Sequence, residues 1–126
     1  MIVSASLNAD VPAHHGAWFL RRLDAGFCRI AGADPLQAQR VPLTPATVDA
    51  FVFWTRDATP FLGVLEEVRR RGHAFIVQHA VTAPGRGVAA LRAVAERFGP
   101  RVAVWRHDPV PERADDAAQL ARFTRI

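Results

Sequence analysis

Apolar residues in this chain fall into short runs that break off in polar, ionisable clusters. Phe51-Val52-Phe53-Trp54 runs into Thr55-Arg56-Asp57, Phe75-Ile76-Val77 into Gln78-His79, and Val102-Ala103-Val104-Trp105 into Arg106-His107-Asp108. A fourth run opens the chain at Ile2 to Ser6 and leads to Asn8 and Asp10. Short apolar runs rich in β-branched and aromatic residues and bounded by turn formers read as strands. The run around 50–55 is apolar on successive rather than alternate positions. That is the pattern of a parallel sheet with helices on both faces, or of a barrel with helices packed outside it.

Between the strands the period lengthens. Trp18, Phe19 and Leu23 recur at helical spacing within His14 to Ala25, and Gly26 is placed to cap that helix. Phe61, Leu65 and Val68 form a second apolar face closed by Gly72, and Val88, Leu91, Ala95 and Phe98 a third closed by Gly99-Pro100. Thr44-Pro45 and Thr59-Pro60 each place a capping hydroxyl before a proline at the first helical position. Residues 27–43 depart from the scheme. Phe27-Cys28-Arg29-Ile30 and Arg40-Val41-Pro42-Leu43 flank the turn-rich Gly32-Ala33-Asp34-Pro35 and predict a small hairpin. The fourth strand is expected at Val102 to Arg106, and a last helix from near Asp116 through Leu120 and Phe123.

The predicted order is βα(hairpin)βαβαβα, an α/β chain of four parallel βα units with right-handed crossovers, forming one domain over residues 1–126. Four units make half of an eight-stranded barrel, which takes about 250 residues, or else a small open sheet. Either way the polar endings converge on the carboxyl edge of the strands, where such folds bind ligands.

Composition narrows the class. At 50% hydrophobic and 22% charged residues the chain is ordinary globular material, so a disordered chain is not expected. No stretch approaches the roughly 18 apolar residues of a membrane helix, and the start lacks a signal peptide's basic and apolar regions, so a cytoplasmic protein with no membrane partner is expected. The one cysteine, Cys28, excludes an internal disulfide. It cannot by itself hold zinc or an iron–sulfur cluster. All 16 basic residues are arginine and the net charge is +4. They are scattered, and their one run, Arg69-Arg70-Arg71, falls in a helix's last turn where cations offset the dipole, so nucleic acid is not the expected partner.

The strand ends carry the candidate chemistry. Asp10, Asp57 and Asp108 fall just past strands, His79 sits at a strand end, and His107 adjoins Asp108. Carboxylates and imidazoles sharing one rim are the parts of an acid/base site. His107, Asp108 and Asp10 are the catalytic candidates, and Ser6, Asn8, Trp54, Arg56, Asp57, Gln78, His79 and Arg106 the ligand-binding ones. The competing role for Asp10 and Asp57 is to accept backbone N–H groups at helix starts. Trp54 and Trp105 either plug an interior or wall a site. Neighbouring His14 and His15 project about 100° apart on a helix and cannot chelate one ion. Gly85-Arg86-Gly87 lacks the full phosphate-loop pattern and reads as a plain loop, and Cys28, with no histidine near it in sequence, as a packed thiol.

These motifs also occur in a telling order: Ser4-Ala5-Ser6, Asp10-Val11-Pro12-Ala13, Trp18-Phe19, Val41-Pro42-Leu43 with Pro45, Val48-Asp49, Phe51-Val52-Phe53-Trp54-Thr55-Arg56, and Val104-Trp105-Arg106-His107-Asp108-Pro109. In this the chain resembles a bacterial family, domain of unknown function 1848, which is radical-SAM-like. The resemblance implies that the chain corresponds to the N-terminal half of a longer barrel. It also implies an iron–sulfur cluster and S-adenosylmethionine held by a C-terminal part with a cysteine cluster that this chain does not have. The chain departs from the family's pattern at Leu7-Asn8-Ala9, which replaces an arginine-rich stretch, at His79-Ala80, and at His107, where tyrosine is usual. The leading expectation is a truncated family member, inactive as this chain alone. The alternatives are a non-catalytic half-barrel that binds or assembles, with itself or with a complementary C-terminal half, and a small hydrolase or lyase using Asp108 and His107.

Overall fold

The computed structural model describes residues 1–6, 9–31, 38–81, 85–106 and 116–124. Four strands, β1 (Ile2–Ser4), β4 (Ala50–Thr55), β5 (Ala74–Ala80) and β6 (Ala103–Arg106), form an open parallel sheet in the order β1-β4-β5-β6. Strands β2 (Phe27–Ile30) and β3 (Gln39–Pro42) form the expected antiparallel hairpin, with Phe27 opposite Pro42 and Ile30 opposite Gln39. The helices are α1 (Val11–His14), α2 (Gly16–Ala25), α3 (Leu62–Arg70), α4 (Arg86–Phe98) and α5 (Asp116–Thr124). Among the described residues no helix is long and apolar enough to cross a membrane.

Strand order decides which face the helices take. Crossovers between parallel strands are right-handed as a rule, so a sheet whose strands step steadily in one direction collects its helices on one side, whereas a reversal of order would place them on both. The core follows that rule. Phe19 of α2 meets Phe51 and Phe53 with ring centroids 5.3 Å apart in both cases, Phe61 meets Phe53 at 5.0 Å, and Phe98 of α4 meets Phe75 at 5.3 Å. Phe51, Phe53, Phe61, Leu65 and Val68 are fully buried, each stabilising the fold by about 2–3 kcal/mol through apolar area removed from water.

The alternate positions face the other way. Val52 and Ile76 stay half-buried, and Trp54 and Val104 are 40% and 36% exposed. Of the two packings that the successive apolar run allowed, the structure takes the one-sided arrangement, though as an open sheet and not a closed barrel.

Several local expectations are corrected. The first helix begins at Val11, not His14, because Asp10 caps it and Pro12 stands in its first turn; the chain then breaks at His15 and restarts at Gly16. Thr59 is not a cap but the first residue of a single 3-10 turn, Thr59–Phe61, that leads into α3. The buried face of α4 is Ala90 and Val94, while Val88, Leu91 and Ala95 are half-buried. The fourth strand starts at Ala103, since Pro100–Val102 form a 3-10 turn.

Candidate functional site

The rim is assembled by side chains that stitch one strand end to the next. Asp10 accepts the N–H of Ala13 on Oδ1 at 3.1 Å, capping α1, and the N–H of Arg56 on Oδ2 at 2.9 Å, at the end of β4. Beyond β4, Thr55 Oγ1 accepts the Asp57 N–H at 3.0 Å and Asp57 Oδ1 accepts the Thr59 N–H at 2.9 Å. Hydrogen bonding from the Thr59 side chain and from its backbone N–H holds the Asp57 carboxyl below the usual carboxylate range. Both aspartates therefore do the capping work weighed against a chemical role.

His79 lies beneath this loop. It is in register with Thr55 on one side and Trp105 on the other, and is wholly buried. Its Nε2 accepts a long bond of 3.4 Å from the Ala58 N–H, which assigns the ring proton to Nδ1, and Nδ1 has no hydrogen-bond partner. Burial pushes the imidazole pKa down; the charges of Asp57 and Asp10 and the Ala80 backbone oppose it without reversing it. The start of α4 covers the ring closely: a Cβ on Gly87 would lie 3.8 Å from His79 Cε1.

A second cluster occupies the opposite face. The Arg106 guanidinium lies 4.2 Å from the centroid of the Trp54 ring, a cation–π stack, with Gln78 in register with Trp54 between them. Trp105, one residue earlier, points to the helical side and donates its indole N–H to the Val81 carbonyl at 3.2 Å. So the structure brings Asp10, the Arg56 backbone, Asp57 and His79 together, and Trp54, Gln78 and Arg106 together, on opposite faces of one sheet edge. Ser6 is buried with its Oγ unpartnered. Asn8, His107 and Asp108 lie outside the described residues. Thr55 and the Ala58 N–H join the site without standing among the candidates, and the turn chemistry of Thr55-Arg56-Asp57-Ala58-Thr59 is the signal in the sequence for both.

The family comparison takes in all of these elements, for the model described as Domain of unknown function (DUF1848) matches residues 2–126. The chain belongs to that family. No curated protein and no solved structure matches it.

In this DUF1848 chain the donor set does not fit an iron–sulfur cluster. A cluster takes several thiolates, and the chain has one thiol, Cys28, half-buried in the hairpin with its pKa pushed up by burial. Among the described residues no three His, Cys, Asp or Glu side chains are grouped to hold a metal ion.

Proposed function

We propose that this DUF1848 chain supplies the amino-terminal half of a radical-SAM-like barrel, its uncovered sheet face becoming barrel interior and its carboxyl rim part of a ligand site. The observation that carries this reading is the steady strand order with α2, α3 and α4 on one face, which leaves Val52, Trp54, Ile76 and Val104 on the other. Such a face is what a barrel encloses. Trp54, Gln78 and Arg106 then stand at the mouth of the enclosed space, while Asp10, Asp57 and His79 brace the loops around it. In this reading the cluster and S-adenosylmethionine belong to a complementary C-terminal half, since the thiols they need are not here.

Light scattering and a hydrophobic dye test the proposal on the purified chain. The open face should bind dye at neutral pH and drive association that grows with concentration. Ile76→Lys and Val52→Lys should suppress both effects while leaving the circular dichroism spectrum unchanged. A monomer at all concentrations that binds no dye would refute the half-barrel reading, as would unfolding by either lysine.

A further inference from the structure

A cavity of about 640 Å³ opens between the edge strand β1, helix α2 and the hairpin strand β2, and none of the rim residues described above lines it. Its volume lies in the range of small-molecule sites, about 300–1,000 Å³. Val11, Trp18, Phe19 and Phe51 give it an apolar wall.

Among the described residues the charged side chains that line the cavity are Arg22 and Arg29, and no aspartate or glutamate lines it. Arg70, Arg71 and Arg97 are each paired with a carboxylate, but Arg22 forms no ion pair among the described residues, and its Nε is buried without a hydrogen-bond partner. Its positive charge reaches the neighbouring Cys28 thiol, lowering a pKa that burial raises. A buried guanidinium Nε–H with no acceptor is costly until one meets it, and a carboxylate matches the planar fork to which it belongs.

We propose that this cavity binds a small amphiphilic carboxylate, with the apolar body against Val3 and Trp18 and the carboxylate on the guanidinium of Arg22. The carboxylate contact at Arg22 and the wall at Trp18 lie on the helical side of β1, away from Val52, Trp54, Ile76 and Val104 of the open face.

Calorimetric titration of the full chain with dodecanoate, dodecanol and dodecyltrimethylammonium, each below its micellar range, tests the assignment. Dodecanoate should bind at one site, the alcohol about tenfold more weakly, and the ammonium more weakly still, as expected for one charge-assisted contact. Arg22→Gln should bring dodecanoate to the level of the alcohol. Cys28→Phe, which fills the cavity from β2, should abolish binding of both with the circular dichroism spectrum retained. Ile76→Lys, on the open face, should change nothing. Absence of dodecanoate binding, equal binding of the three amphiphiles, indifference to Arg22→Gln, or loss through Ile76→Lys would each overturn the proposal.

Discussion

His79 and His73 hold imidazoles where a charge is expensive. His79 is fully enclosed, and His73 is 5% exposed with its ring 5.0 Å from that of Phe51; both have an unpartnered Nδ1. Burial lowers the pKa of each, helped at His73 by the charge of Arg71. Below their ordinary value near 6.5 the unfolded chain takes up protons that the folded one refuses. Their neutral burial therefore costs nothing above about pH 6.5 and destabilises the fold progressively as pH falls below it. Each group contributes a slope of up to about 1.4 kcal/mol per pH unit. Urea midpoints should be level from pH 8 to 7 and decline steadily from 6.5 to 5, with a shallower decline in His79→Gln. A profile flat across that interval would show the two rings to be solvated. That His79 shares a face with Phe75 and Val77 was legible from strand alternation; that this face is the covered one, and that Nδ1 lacks a partner, were not, because they depend on the strand order and on where Ala58 and Gly87 come to rest.

At the level of elements, Asp10 joins the cap of α1 to the end of β4, using both carboxylate oxygens. Asp10→Ala should cost about 2 kcal/mol, the loss of an N-cap plus a backbone N–H left without its acceptor. Asp10→Asn, with one acceptor oxygen in place of two, should fall between, and chemical denaturation would order the three. Equal stability of all three would mean that the bracket is not maintained in solution. The Asp10-Val11-Pro12 signal for a helix start stood in the sequence, but the Trp18-Phe19-Leu23 periodicity drew the boundary to His14. Gly16, where α2 restarts after the break at His15, is also where it approaches α3: a Cβ there would come within 3.2 Å of Val64 Cγ2. Helix α4 misled for a related reason. Its large residues looked like the buried stripe, yet close approach to β5 favours the small ones, Gly87 over His79 and Val81, and Ala90 in the core.

Across the whole molecule, element order, parallel pairing and the hairpin were legible because each rests on local periodicity and turn chemistry. Which sheet face would be covered was not, since the successive apolar residues of β4 fit either packing and only the strand order β1-β4-β5-β6 separates them. One-sidedness makes neighbouring residues in one strand energetically unlike. Phe53 is fully buried among Phe19, Phe61 and Phe75, and Phe53→Ala should cost about 3–5 kcal/mol through lost transfer energy and a cavity that packed rings cannot collapse to fill. Trp54, the next residue, is 40% exposed and engaged by the stacked Arg106, so Trp54→Ala should cost about 1 kcal/mol or less. Urea denaturation at concentrations low enough to keep the chain monomeric measures both. Comparable losses would mean that the Trp54 face is as enclosed as the Phe53 face, and the one-sided architecture, with the half-barrel reading built on it, would fall.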